Sequence, residues 1–523
     1  MIKKRYFITA IIPLSILALS TGLKMGEKDG NRFPKPKIET HYSDTTVLGK
    51  QLALKYCQNC HLFPEPDLLD KKTWTSSVLP NMGLRLGIRE AKQNPYADLD
   101  ADDVVLMKEA AVYPETPLIS REEWLEIIKY YEKEAPSVLP LPKTDIQLSN
   151  QLSQFKAQYL TFTQKKLPRT TLLKYDKTAS LLYIGDAQND LFVVDSTLQL
   201  KNVFKTESAP VDIDFPKNQS PRLLTIGKLN PSDQKLGRLM SLDANSKTVL
   251  DSLQRPVQFA TSDLNKDGKE DIVVSQFGHN TGKLSWFESG DGSKEHILRG
   301  LPGTRKVEIM DFNNDKKPDI IALSGQAWEG VSIFYNQGKG KFKEKKVLQF
   351  SPIFGASYFE CVDFNKDGFP DILLTNGDNW DYSAILKPYH GVHIYLNDGR
   401  DNFKEAFFYP MYGTSKAVAR DFDKDGDLDI AAISFYNDLD LPEQGFIYLE
   451  NQGNFQFKAF STPEAISGKW LTMEVGDFDK DGDEDIVLGS YFQTVGEMTK
   501  LVFKGVESFP QVLILSNLKN SKK

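Results

Sequence analysis

The sequence predicts a chain of two domains, a small all-α domain followed by an all-β propeller of seven blades. Three observations carry that prediction. One acidic pattern recurs five times, starting at Asp263, Asp311, Asp363, Asp421 and Asp477, at intervals of 48, 52, 58 and 56 residues. Near Asn150 the composition changes from helical periodicity to β-branched and aromatic runs punctuated by Gly, Asn and Asp. The length of 523 residues exceeds one compact core, and 40% hydrophobic residues against 26% charged is too apolar for a disordered chain.

The N-terminus reads Lys3-Lys4-Arg5 and then an apolar stretch from Tyr6 to Ser20. That is shorter than the roughly 20 residues of a bilayer span, and small residues at Ala18 and Ser20 fit a secretory signal. Residues 1–23 are therefore expected to be a signal peptide or, uncleaved, an N-terminal membrane anchor. No cysteine follows the stretch, which argues against a lipoprotein anchor. Either way the remainder is expected to be exported, to the periplasm or the cell surface. Residues 24–45 are polar, carry Pro34 and Pro36, and read as a linker. The all-α domain is placed at 46–135. Val47, Leu48, Leu52, Leu54 and Tyr56 pattern its first helix; Ser120 caps its last, with Glu123 three residues on and Trp124, Ile127, Ile128 and Tyr131 on one face. Pro136, Pro140 and Pro142 make 136–150 a second, stiffer linker.

Residues 151–523 hold the repeats. Two decayed copies, around Tyr175-Asp176 and Asp214-Phe215, precede the five acidic ones and keep a following apolar strand without the acidic ladder. Units of about 50 residues with four short strands have the size of propeller blades. In the third unit the expected strands are 257–261, 271–275, 283–288 and 295–298. Later units share Asn-x-Gly then Phe: Asn336 with Phe342, Asn397 with Phe403, Asn451 with Phe455, a hairpin turn followed by a core aromatic. These repeats resemble the FG-GAP/VCBS family, and the resemblance implies an integrin-α-like seven-bladed propeller.

Within each acidic loop, positions 1, 3, 5 and 9 carry Asp263, Asn265, Asp267 and Asp271; Asp311, Asn313, Asp315 and Asp319; Asp363, Asn365, Asp367 and Asp371; Asp421, Asp423, Asp425 and Asp429; and Asp477, Asp479, Asp481 and Asp485. Carboxylates converging at a tight turn form an oxygen cage suited to Ca²⁺, and unpaired they would repel one another. Asp/Asn-rich turns without an ion are the plain alternative, which five loops in register disfavour. Four loops have Gly at position 6 (Gly268, Gly368, Gly426, Gly482). The second has Lys316, which predicts a distorted or weaker site. Strand alternation places all five loops on one face and leaves the opposite face for recognition. There the middle turns offer Gln276, Gln326, Asp378, Trp380 and His390, amide, carboxylate and aromatic groups suited to a carbohydrate-like ligand or a protein surface.

Cys57-Gln58-Asn59-Cys60-His61 has the form of a haem c attachment site: two thiols for thioether bonds and an adjacent imidazole as proximal iron ligand. A redox disulfide and half a zinc site are the alternatives. No second Cys/His pair lies nearby, and no βαβ pattern suggests a thioredoxin-like fold. Residues 46–135 resemble a small class I cytochrome c domain. The resemblance implies covalent haem on Cys57 and Cys60, His61 on the iron, and a Met on the distal side, for which Met82 is the candidate. Met107, His41 or an open position are its alternatives. Cys361, the third cysteine, sits in an apolar strand and reads as a small buried hydrophobe.

A formal charge of −7 without a basic stripe excludes a nucleic-acid partner. Gly-x-Ser-x-Gly, phosphate-loop and dinucleotide motifs are absent, and no catalytic residue is assigned. Two function classes follow. The first is an exported haem electron-transfer protein whose calcium-stabilised propeller binds a redox partner or carbohydrate-like substrate, in its sharper form part of an oxidoreductase system. The second is a non-enzymatic adhesion or glycan-binding propeller with an accessory haem domain.

Overall fold

Every acidic repeat heads a four-stranded antiparallel sheet. In the computed structural model, residues 45–90, 93–162, 167–243, 247–379 and 382–519 are described. The expected signal or anchor and nearly all of the first linker lie outside them. Seven sheets cover residues 170–205, 210–253, 256–299, 304–349, 356–410, 414–460 and 470–517, numbered blades 1 to 7. The third has strands Pro256–Ser262, Asp271–Gln276, Lys283–Phe287 and Glu295–Arg299, within a residue or so of the expected limits.

Blade 7 takes only three strands from the C-terminal end of the chain. Its fourth is Phe155–Leu160, antiparallel to Val512–Asn517 with Phe155 opposite Asn517. Just before it, Leu148–Ser149 adds in parallel to the outer edge of blade 6. The second linker thus feeds a closing strand, which pairs an edge that would otherwise stay open. In blades 3 to 7 the second strand is buried at all six positions, as in Asp371–Asn376, because neighbouring blades cover both of its faces. Such strands read as continuous apolar runs rather than as alternation.

The innermost strands carry polar side chains that bridge consecutive blades. Asp212 accepts from the Phe259 N–H (3.1 Å), Gln258 from Val307 (2.9 Å), Glu308 from Cys361 (3.2 Å), Glu360 from Ala419 (2.9 Å) and Glu474 from Tyr175 (3.4 Å). Lys306 donates to Glu308 and to the Phe359 carbonyl, both at 2.6 Å. Buried polar groups on the axis are thereby satisfied, and these bonds fix five of the seven seams between blades.

The helical domain is built on α1 (Thr45–Cys57), α2 (Leu79–Arg85), α3 (Ala101–Glu109) and α4 (Arg121–Glu134). The α4 capping box forms as the sequence predicts, with the Glu123 N–H donating to Ser120 Oγ at 3.1 Å. α1 and α4 cross at Gly49, where a Cβ would lie 2.4 Å from the Glu126 carbonyl oxygen, so only glycine permits the approach. A π turn, Trp74–Val78, leads into α2 and places Trp74 on Tyr131, ring centroids 4.5 Å apart.

This domain sits on the middle turns of blades 2 to 5, the face opposite the acidic loops. Asp103 of α3 is buried and accepts from Ser232 Oγ (2.9 Å), the Asp233 N–H (2.7 Å) and Gln234 Nε2 (3.1 Å) of blade 2. Arg85 donates to Asn280 of blade 3 at 2.8 Å. Ser77 donates to the Tyr382 carbonyl (2.6 Å), and Tyr389 to that of Leu68 (3.2 Å), in blade 5. Ile353, Tyr382 and Ile385 of the propeller pack against the helical core.

Candidate functional site

The acidic loops join the first and second strands of blades 3 to 7. Those of blades 3 to 6 fold around their first residue: Asp263 accepts from the N–H groups of Asp267 (3.1 Å) and Gly268 (3.0 Å), Asp363 from those of Asp367 (3.1 Å) and Gly368 (2.9 Å), and Asp421 from that of Gly426 (3.1 Å). Position 6 is left-handed, φ +84° to +100° at the four glycines. Lys316 adopts the same conformation (φ +65°), with its N–H 2.7 Å from Asp311. The second loop, expected to be a distorted or weaker site, makes the same backbone turn as the others, with the strain carried by a lysine.

Position 9 behaves differently from positions 1, 3 and 5. Asp271, Asp319, Asp371, Asp429 and Asp485 are fully buried. Asp319 accepts from the Phe312 N–H (3.2 Å) and the Asn336 N–H (2.7 Å), and Asp485 from Phe478 (3.0 Å) and Asn517 (2.8 Å). This residue clamps the loop to the end of the third strand. Carboxylate oxygens of Asp421, Asp423 and Asp425 lie within 4.8 Å of one another, as do those of Asp477, Asp479 and Asp485. Burial, with the Asp423 and Asp425 carboxylates adding to it, pushes Asp429 up to about 7; burial and Asp479 do the same for Asp485. Blade 2 solves the same problem without the ladder. Its Arg222 guanidinium pairs with Asp214 and reaches Glu270 of blade 3 at 3.3 Å, so a covalently held cation takes the place between carboxylates.

Cys57 ends α1, Cys60 is exposed three residues on, and neither is disulfide-bonded. His61 Nδ1 lies 2.8 Å from the Leu62 carbonyl, which assigns its proton to that nitrogen and presents Nε2. Burial pushes the Cys57 thiol up to about 11, the reverse of the lowered value that a redox-active Cys-x-x-Cys needs. Among the described residues, no group of three or more candidate metal ligands includes Cys57, Cys60 or His61. Cys60 and His61 face a cleft of about 210 Å³, whose other wall is Trp328, Glu329, Lys346 and Phe350 of blade 4. Burial lowers the His61 imidazole, and the nearby Arg85 guanidinium contributes. Met82 lies one turn before Arg85 on α2, partly buried against the helical core; Met107 is buried on α3; His41 lies outside the described residues.

The residues expected to form a ligand face are mostly committed elsewhere. Gln276 is buried inside blade 3, donating to Ser285 (2.8 Å) and Glu295 (3.0 Å) and accepting from the Gln254 N–H (2.9 Å). Asp378 pairs with Arg305. His390 is buried, and burial drives its imidazole well below the usual range, with Lys387 adding to the effect. Gln326 is half-buried beside Trp328, and Trp380 lies outside the described residues. A second cleft, of about 740 Å³, lies farther round the same face between Asn379, Ala384 and Leu386 of the blade 5 middle turn, the blade 6 middle turn at Tyr436–Asp440, and α5 (Val495–Val502) of blade 7. Sequence reasoning missed α5, although Thr494-x-x-Glu497 is a capping box and forms one.

Among solved structures the chain is similar to a chain of the S. cerevisiae Dbp5 assembly with Nup159, Gle1, IP6 and ADP. The identity is 12% and the TM-score 0.42, over 72% of this chain and 98% of that one. It is also similar to the Neurospora crassa Pan2 WD40 domain (11%, TM-score 0.41, 70% and 96%) and to an Agrocybe aegerita lectin that recognises non-reducing terminal N-acetylglucosamine (13%, TM-score 0.38, 66% and 99%). No curated protein matches the chain. The FG-GAP-like repeat family matches residues 263–322, 311–374 and 421–488, the segments that hold acidic loops of blades 3, 4, 5, 6 and 7. The chain therefore carries FG-GAP-like repeats in a seven-bladed β-propeller, an architecture that fits a binding role.

Proposed function

We propose that the protein is an exported electron-transfer protein with haem c on its helical domain, resembling a class I cytochrome c, and a calcium-stabilised propeller that binds a redox partner or carbohydrate-like substrate. The observation that carries the haem reading is the donor set at the end of α1. Two unbridged thiols stand three residues apart, and His61 follows with Nδ1 engaged by its own chain and Nε2 presented. That set fits covalent haem, with Cys57 and Cys60 for the thioethers, His61 for the proximal position and Met82 for the distal one. Bound there, haem c would supply one-electron transfer. The protein's own part is to keep that site against blade 4, where Trp328 and Lys346 wall the cleft.

Calcium is supported by the clustered carboxylate oxygens of blades 6 and 7 and by the matching turn geometry of blades 3 to 5. Export rests on the basic and apolar N-terminal sequence. Among the described residues no helix is long and apolar enough to cross a membrane.

The test is maturation of the full chain in a host with haem c attachment machinery. Haem that stays with the denatured polypeptide, and is lost in Cys57→Ser and Cys60→Ser, supports the reading; a colourless product overturns it. Met82→Ala should change the axial-ligand spectrum, and an unchanged spectrum removes Met82 from the iron.

A further inference from the structure

We infer that the ligand site of the propeller is the groove between blades 5 and 7, and that it takes a polyhydroxylated ligand, a sugar. The inference rests on the binding role proposed for the propeller and is independent of the haem. The helical domain covers the middle turns of blades 2 to 5, seated by Asp103 on Ser232–Gln234, by Arg85 on Asn280 and by Ser77 on Tyr382. A free ligand approaching that face meets what the helical domain leaves open. The groove there has about 740 Å³, the size of a small-molecule site.

Its lining mixes hydrogen-bonding groups of both kinds with an aromatic face. Tyr436, Asn437 and Asp438 come from the blade 6 middle loop, Lys469 from the crossing into blade 7, Gln493 from the turn before α5 and Lys500 from its body. Amides donate and accept at once, as sugar hydroxyls do, and an aromatic ring suits the apolar face of a pyranose. Lys469 at the floor is buried, paired with Glu497 and 4.2 Å from the Phe435 ring centroid, so it is held in place before any ligand arrives. The side-chain amide oxygen (Oδ1) of the half-buried Asn437 has no hydrogen-bond partner, an acceptor that a ligand hydroxyl would satisfy. Net charge in the groove is balanced, with Asp438, Asp440 and Glu497 against Lys469, Lys500 and Lys504, which favours a neutral ligand over an ionic one.

The experiment is saturation-transfer NMR on the calcium-loaded full chain with a panel of neutral hexoses, N-acetylhexosamines and their β-linked disaccharides. At least one member should bind, and Asn437→Ala and Gln493→Ala should each weaken it about tenfold. Ala384→Trp, which fills the mouth without removing a polar group, should abolish binding, and Gln326→Ala, at the covered part of the face, should leave it unchanged. A sugar that binds equally well to Asn437→Ala and Ala384→Trp would overturn the groove while leaving the propeller a binding module. Absence of binding by the whole panel would overturn the ligand class, and neither outcome touches the haem test.

Discussion

Lys316 occupies a left-handed position that four sister loops give to glycine, and its loop closes with the same hydrogen bonds. A non-glycine residue there costs about 1 kcal/mol, partly offset by the entropy glycine would lose on folding. Lys316→Gly should therefore raise stability by about 0.5 kcal/mol or slightly more, seen as a higher urea midpoint with an unchanged slope. Arg222 carries the opposite prediction. Its guanidinium is about 10% exposed between Asp214 and Glu270. Arg222→Leu leaves two carboxylates facing each other and should cost about 2–3 kcal/mol in the same measurement. Asp214→Asn in addition should recover part of that loss. At this scale the sequence was a partial guide. The acids at positions 1, 3 and 5 lie where spacing puts them, because a tight turn fixes their geometry locally. Position 9 carries a second task that spacing does not show: its carboxylate also binds the third strand, a contact from 17 residues away in blade 4, while Asp485 still lies with Asp477 and Asp479. Gln276 and His390 have the local pattern of exposed turn residues, yet both are buried, because local pattern does not register what neighbouring strands and turns cover.

α3 holds the helical domain to blade 2 through one buried side chain. Asp103 accepts three different donors of the 232–234 turn, and Asp233 in turn accepts the N–H groups of His279, Asn280 and Thr281 of blade 3. Asp103→Ala leaves these donors unpaired at a buried interface, a loss of about 2–3 kcal/mol in docking. Limited proteolysis should then cut faster in the proline-rich segment before Leu148, while thermal unfolding of the propeller stays where it was. Equal cutting of both proteins would show that the apolar contacts of Ile353, Tyr382 and Ile385 suffice. The blade 3 strands, α4 and the seven-fold count are legible from spacing and capping residues, whereas α5 is not, although Thr494 and Glu497 cap it. The closing strand Phe155–Leu160 was not, since it belongs to no repeat and its partner stands more than 350 residues away. The axial hydrogen bonds were equally hidden, because Asp212, Gln258, Glu308, Glu360 and Glu474 look like ordinary polar positions of half-buried strands until the ring closes around them.

For the whole molecule, the ring sets five acidic loops side by side on one face, and some reach their neighbours: Lys266 donates to the Lys316 carbonyl of the next loop (2.9 Å), Lys366 pairs with Asp427 (3.2 Å), and Lys424 donates to the Gly482 carbonyl (3.2 Å). Seventeen aspartates occupy the twenty ligand positions, so without cations this face carries strong self-repulsion. Calcium at a thousandfold its Kd would contribute about 4 kcal/mol per site, and two independent sites about 8 kcal/mol. Removing it with a chelator should lower the melting temperature by about 10 °C, given the entropy of unfolding of a ring this large. Chelation alone does not separate a calcium cage from a general effect of divalent ions on an acidic surface, but one substitution does. Asp425→Asn deletes a ligand charge from the blade 6 cluster and also relieves the repulsion among Asp421, Asp423 and Asp425. If the cluster holds an ion, the variant should melt below the wild type in calcium and above it in chelator, so the two stability curves cross as calcium is titrated. If the loops are only turns, the variant should melt at the same or a higher temperature under both conditions, and the calcium reading of the propeller falls with it.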